Sequence, residues 1–135
     1  MINIALIGLG RIGQMHGENL ILHSDYNLKY VFDVDEKLTN KISKKFNSKA
    51  INNPRIAFKD EGIDAIFIAS STSTHIKLIE EAAKYKKVIF CEKPLDLSIE
   101  KINKCKKKIK SLSPKIQLGF NRRYDPGHNS LKKDL

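Results

Sequence analysis

The chain has 135 residues, 41% of them hydrophobic and 30% charged, with a formal net charge of +10. That make-up fits one ordinary globular domain; it is short for a two-domain enzyme, too apolar for a disordered chain, and lacks any run long enough to cross a membrane. The two cysteines, Cys91 and Cys105, form no CxxC and no metal-ligand spacing, and the apolar opening has no basic leader, so the expectation is a cytoplasmic protein without a metal.

Ile2–Ile7 reads as a strand, and Gly8-Leu9-Gly10-Arg11-Ile12-Gly13 carries it into a helix that runs to about His23. A GxGxxG pattern is weak by itself. Directly after a strand, and opening a helix, it points to a dinucleotide site. Gly8 permits the tight turn, Gly10 lets the backbone approach a pyrophosphate, and Gly13 lets helix and strand pack closely. The amides of Arg11 and Ile12 stand near the positive helix N-terminus, where an anion is favoured. Leu28–Phe32 is the second strand and closes on Asp33, 20 residues beyond Gly13. A carboxylate there accepts both adenosine ribose hydroxyls and repels a 2′-phosphate, and no arginine follows to receive one, so the expected cofactor is NAD rather than NADP. The plainer role for Asp33 is a helix cap, for which Asp35 is the better candidate.

Val34, Leu38, Ile42 and Phe46 recur every fourth residue, one stripe of a helix. Lys49–Ile51 gives a short third strand, Asn53-Pro54 breaks the chain, and a brief helical turn leads to Gly62. Asp64–Ala69 is a continuous apolar run, as expected of a strand buried on both faces. Ser70–Thr74 is a polar loop at its end. Its hydroxyls and amides, from Ser70, Ser71 and Thr72, either line the cofactor's phosphate and nicotinamide ribose or cap the next helix. His75 is either an edge of that site or a first-turn helix residue. The helix itself turns Ile76, Ile79, Ala82 and Ala83 inward.

Lys87–Cys91 is the fifth strand, and Glu92-Lys93-Pro94 follows it. Lys93 emerges beside the fourth strand's loop, and Pro94 holds it extended, which gives the side chain a defined direction. An ammonium there would stabilise the alkoxide developing on a substrate hydroxyl as hydride leaves; the bland alternative is a surface Glu–Lys pair. Ser98–Leu112 is the next helix, with Ile99, Ile102, Cys105, Ile109 and Leu112 at helical spacing and its lysines forming a solvated face. Twenty-one of the 25 basic residues are lysine. No aromatics interleave with the densest run to stack bases, so no nucleic-acid partner is expected. Lys115–Gly119 is the sixth strand; a loop over 120–128 and a helix just begun at Asn129–Leu135 complete the chain. Six strands alternating with helices make an α/β, Rossmann-type, doubly wound parallel sheet in a single domain.

The strand-GLGRIG start, the acid closing the second strand and the EKP after the fifth together resemble the N-terminal domain of the glucose–fructose oxidoreductase/inositol dehydrogenase/rhizopine catabolism (Gfo/Idh/MocA) family. The likeness spans the whole chain. Ser70-Ser71-Thr72-Ser73-Thr74-His75 is similar to the SSTxTH variant of the family's inositol dehydrogenases, and Gln117–Asp125 to their QxGFxRRYD segment. The resemblance implies an NAD-dependent dehydrogenase that moves hydride from the C2 hydroxyl of a cyclitol, or from another polyol or sugar, to C4 of NAD⁺. It implies Lys93 as the catalytic lysine, Glu92 near the cofactor ribose, Arg122 reaching nicotinamide or substrate, and a homo-oligomer in the full-length protein. It further implies that residues 1–120 are the NAD-binding domain. Residues 121–135 would then begin the connection to a missing C-terminal substrate domain that carries an Asp-x-x-x-His base, and the chain alone is expected to be inactive. The alternative from another class is a stand-alone NAD-binding module with a sensing or scaffolding role.

Overall fold

The computed structural model describes the backbone of residues 1–133, with side chains through 128 and at Ser130. Six parallel strands, β1 (Ile2–Ile7), β2 (Tyr26–Phe32), β3 (Lys49–Ala50), β4 (Ala65–Ile68), β5 (Val88–Cys91) and β6 (Ile116–Leu118), lie in the order β3-β2-β1-β4-β5-β6. They are joined by helices α1 (Arg11–Ile21), α2 (Glu36–Lys45), α3 (Arg55–Lys59), α4 (Thr72–Lys84) and α5 (Ile99–Ile109), and α6 (Pro126–Lys133) follows the last strand. This is the Rossmann-type doubly wound sheet. Its order reverses between β1 and β4, and open α/β sheets bind their ligands in the crevice at such a reversal. Among the described residues no helix is long and apolar enough to cross a membrane.

The two-residue period of β1 builds the two halves of the core. Ile4 and Leu6 join Leu20, Ile42 and Phe46 beneath α1 and α2. Ala5 and Ile7 point the other way and join Phe58, Leu78, Ile79 and Ala82 beneath α3 and α4. A fully buried side chain of this size stabilises the fold by about 1.5–3 kcal/mol relative to its exposed state. Truncating Ile66, 0% exposed in the central strand β4, would cost about 2–5 kcal/mol. The α1–α2 contact depends on Gly17, where a Cβ would stand 2.3 Å from the Phe46 ring.

Several local expectations shift. Val34 is 92% exposed and precedes α2, which starts at Glu36 with the Asp35 carboxylate accepting the Leu38 N–H at 3.0 Å. α4 begins at Thr72, so the expected loop over Ser70–Thr74 shortens to its first two residues, and the helix buries His75 and Leu78 while Ile76 is only half-buried. Of the α5 stripe only Cys105 is fully buried; the helix stops at Ile109 and tightens into a 3₁₀ turn over Lys110–Leu112. Segment 120–128 is not one loop. A 3₁₀ turn covers Asn121–Tyr124, and α6 opens at Pro126, earlier than the expected Asn129, because proline suits a first helical position. Residues 134 and 135 of that expected helix lie outside the described residues.

A polar cluster braces the segment between α3 and β4. The Asp60 carboxylate accepts from Lys29 Nζ, Tyr30 Oη and the Gly62 N–H, each at 2.8 Å. These donors, the Lys29 ammonium foremost, hold its carboxyl down at about 2. Lys87, buried just before β5, donates to the carbonyls of Asp60 and Ile63 at 2.7 and 2.6 Å.

Candidate functional site

A cleft of about 940 Å³ opens at the carboxyl ends of β1, β2 and β4, a size typical of small-molecule sites. The β1–α1 loop forms its floor. Gly8 has φ +96°, and a Cβ there would lie 2.4 Å from the backbone nitrogen of Ser70, so the close passage of two strand ends requires glycine. Gly13 is equally committed, since its Cβ would lie 2.0 Å from the Gly8 carbonyl oxygen. Gly10 differs. A Cβ there would meet nothing within 4 Å; it would stand in the open cleft. α1 has no side-chain cap, and its first bond runs from the Gln14 N–H to the Gly10 carbonyl at 2.9 Å. The first-turn amides of Arg11, Ile12 and Gly13 therefore have no acceptor within the helix. Free donors beside the space above a glycine fit a diphosphate anion.

Asp33 turns its carboxylate back toward this loop. Oδ2 accepts the Leu9 N–H at 2.7 Å and Oδ1 accepts the Asp35 N–H at 3.1 Å. A carboxylate offers about four acceptor sites, so each oxygen keeps one for a ribose hydroxyl. The Asp33 N–H donates to Thr39 Oγ1 at 2.9 Å, which fixes the backbone that aims it. One arginine with no place in the local motif also lines the cleft. Arg55, on α3, donates from Nε to Glu81 Oε1 at 2.5 Å, and that carboxylate raises the guanidinium's pKa. Its charge is already occupied, so it is poorly placed to receive a 2′-phosphate.

The opposite wall is the start of α4. Ser70, Ser71 and Thr74 line the cleft; Thr72 does not. Thr74 Oγ1 donates to the Ser71 carbonyl at 2.7 Å and so accepts from Ser70 Oγ, also at 2.7 Å. Ser71 occupies the cap position without a side-chain bond to the helix. α4, like α1, thus presents an N-terminus that its own side chains leave uncapped.

β5 delivers the lysine turn. Cys91 is buried, and burial pushes its thiol up to about 12, with the Glu92 charge adding to the effect. The Lys93–Pro94 peptide is cis. Lys93 is exposed, its backbone N–H donates to Glu92 Oε2 at 3.1 Å, and its ammonium has no hydrogen-bond partner among the described residues. Glu92 Oε1 accepts from His16 Nε2 at 2.8 Å, and a Cβ on Gly119 would stand 2.9 Å from that oxygen. His16 also sits edge-on to Phe90 and Phe67, with centroids 5.1 and 6.1 Å away, and those two rings stack at 4.6 Å. His75 is 1% exposed, with Nδ1 2.9 Å from the Pro94 carbonyl and Nε2 3.0 Å from the Ser70 carbonyl. Both of its nitrogens face inward, which leaves the ring no polar atom to offer a ligand. Arg122 is exposed on the 3₁₀ turn after β6, its Nη1 2.6 Å from His128 Nε2, and it is not part of the cleft wall.

His16 was the residue hardest to foresee. Its one local signal is position: three residues after Gly13, it shares that glycine's helix face. Val34 and Asn52–Pro54 also line the cleft. Their signal is topological, since every segment that leaves a carboxyl strand end lies on the ligand-binding edge.

Comparison with known proteins agrees with this geometry. A family model described as an oxidoreductase family with NAD-binding Rossmann fold (GFO_IDH_MocA) matches residues 2–120. The chain is 38% identical over 131 residues to the myo-inositol 2-dehydrogenase of Thermotoga maritima, covering 96% of this chain and 39% of that protein. It is 35% identical over 136 residues to the scyllo-inositol 2-dehydrogenase (NAD(+)) of Bacillus subtilis, covering 99% of this chain and 40% of the relative. A crystal structure of scyllo-inositol dehydrogenase from Lactobacillus casei, with bound NAD(H) and scyllo-inositol, matches with a TM-score of 0.90 at 30% identity, over 98% of this chain and 40% of that one. The chain thus spans about 40% of the length of these relatives. It belongs to the Gfo/Idh/MocA oxidoreductase family, whose NAD-binding Rossmann domain it carries.

Proposed function

We propose that this domain is the cofactor half of an NAD-dependent inositol 2-dehydrogenase, acting on a cyclitol in the cytoplasm as part of a homo-oligomer. In this reading residues 1–120 hold the cofactor, and residues 121–135 lead to a domain that supplies the substrate pocket and a base. The observation that carries it is the ammonium of Lys93 at the end of β5, unbonded among the described residues, on a backbone tied through Glu92 and His16 to the helix that opens the dinucleotide cleft. The relatives named for inositol oxidation supply the substrate class.

NAD⁺, when bound, supplies the hydride acceptor. The first-turn amides of α1, beside Gly10, would hold the pyrophosphate. Asp33 would accept the adenosine ribose hydroxyls and disfavour a 2′-phosphate, and Ser70 and Ser71 would line the cofactor's phosphate and nicotinamide ribose. Lys93 donates a hydrogen bond to the reacting hydroxyl and stabilises the charge that develops on its oxygen, a contribution of about 3 kcal/mol. Glu92 fixes the lysine's backbone, and Arg122, which stands outside the cleft wall beside His128, would have to leave that contact to reach nicotinamide or substrate.

The test is polyol-dependent formation of NADH by the complete protein with myo- and scyllo-inositol. Lys93→Ala should lower turnover on the order of 10²–10³-fold and leave NAD affinity intact. Lys93→Arg should not rescue it, because a planar guanidinium does not fit the space of a compact ammonium. NAD binding without any polyol oxidation by the wild-type protein would reject the enzyme reading in favour of a binding module.

A further inference from the structure

Lys93 is flanked by two anchored neighbours. On one side of the sheet, beneath α1, His16 Nε2 donates to Glu92 Oε1 at 2.8 Å, and the other Glu92 oxygen accepts the Lys93 N–H at 3.1 Å. The His16 and Glu92 side chains are only 17% and 16% exposed, so the pair is screened by water less than a surface pair would be. Phe90 and Phe67 pack the imidazole edge-on, and Gly119 leaves room for the carboxylate. On the opposite side, beneath α4, the buried His75 ring reaches the Pro94 carbonyl with one nitrogen and the Ser70 carbonyl with the other. α1 and α4 do lie on opposite faces, since their apolar residues fall in the two separate halves of the core.

We propose that His16 and His75 are positioning residues that grip the lysine turn from both faces of the sheet, one through the residue before Lys93 and one through the residue after it. The proposal rests on the dehydrogenase reading for its consequence but not for its geometry. Each histidine also belongs to a helix whose N-terminus lines the cleft. The position of the Lys93 backbone is therefore set by the same two helices that line the cleft. A turn gripped at both flanks keeps its central Cα in place while the ammonium stays free to find a substrate oxygen. Loosening either grip lets the lysine drift, and drifts near 1 Å are enough to cost on the order of 10²-fold in rate.

Four variants test it: His16→Ala, His16→Gln, His75→Ala and His75→Gln. In the complete enzyme, His16→Ala and His75→Ala should lower kcat on the order of 10²-fold, with NAD affinity near wild type. His16→Gln should recover most of the loss, because a glutamine amide can donate to Glu92. His75→Gln should recover part of the loss, because a glutamine N–H₂ can donate to a carbonyl that the ring reaches but lacks the ring's shape. In the 135-residue chain, the NMR signal of ¹³C-dimethylated Lys93 should shift and broaden in both alanine variants and return toward wild type in His16→Gln. Unchanged kcat and unchanged lysine signals would overturn the proposal. So would kcat, NAD affinity and melting temperature all falling in parallel, since that is the signature of general structural damage. If the wild-type enzyme oxidises no polyol, the dehydrogenase reading fails, and the lysine signals still decide whether the grip exists.

Discussion

Replacing Asp33 with asparagine separates two roles that the structure combines in one carboxylate. As built, Asp33 braces the cleft floor through the Leu9 and Asp35 amides, and each oxygen keeps a free acceptor site. Asp33→Asn retains one acceptor oxygen and exchanges the other for a donor. For NAD, about one charge-assisted hydrogen bond is lost, about 1.5–3 kcal/mol, which corresponds to roughly 10–150-fold weaker binding. NADP loses the same bond and escapes the repulsion between the carboxylate and the 2′-phosphate, so its affinity should hold or rise. The brace weakens as well, because one of the two amides loses its acceptor at a cost of about 1–3 kcal/mol in stability. Calorimetric titration of wild type and variant with both cofactors, at fixed ionic strength, measures the ratio directly, and thermal unfolding of each protein measures the brace. The expected result is a preference for NAD that collapses by one to two orders of magnitude. A variant that loses NAD and NADP affinity by the same factor would show that Asp33 is only a brace, and the specificity argument would fail.

Gly13→Ala should abolish measurable NAD binding, since its methyl group would meet the Gly8 carbonyl oxygen, a backbone atom of the phosphate loop, at 2.0 Å; titration at wild-type affinity would refute the packing argument. Asp60 titrates at about 2 in the folded chain against an ordinary value of 3.8. Its contribution to stability is therefore fully present above about pH 4 and lost as the pH falls toward about 2. Asp60→Asn should be less stable at neutral pH and should flatten that acid limb in urea unfolding measured across the window; an unchanged slope would rule out this origin. Cys91 and Cys105 are both buried, with thiols raised by desolvation. A thiol reagent at neutral pH should leave the native chain unlabelled and modify both cysteines once it unfolds, and prompt labelling of the native chain would contradict the packing.

What the sequence disclosed follows the range of the interactions involved. The strands, their alternation with helices and the glycine turn were legible because their causes are local: a two-residue period, a helical stripe, a residue without a side chain. Asp35 as the cap of α2 was legible for the same reason. Val34 misled because a four-residue recurrence is blind to where a cap starts the helix. It falls in phase with Leu38 and Ile42, yet stands at the cleft mouth. The partners of His16 and His75 were beyond any local pattern, because Glu92 is 76 positions from His16 and Pro94 is 19 from His75. Arg55 was hidden differently. Nothing near it in sequence announces that α3 borders the cleft or that Glu81 neutralises it.

The arrangement around Lys93 also limits what this domain can do by itself. Glu92 fixes the lysine's backbone, but the residue is exposed and its ammonium is unbonded among the described residues. A lysine side chain carries about 2 kcal/mol of rotamer entropy, and nothing in the turn removes it. That ordering has to come from a group opposite the lysine, such as a substrate hydroxyl held between the nicotinamide and a second wall. The cleft floor is different in kind, because it presents backbone amides fixed by the start of α1 and a carboxylate already held in place by hydrogen bonds. Preorganisation of this sort lowers the entropy lost on binding. NAD affinity should therefore belong to these residues largely unaided, while polyol affinity, on the proposed reading, should require a wall that confines Lys93.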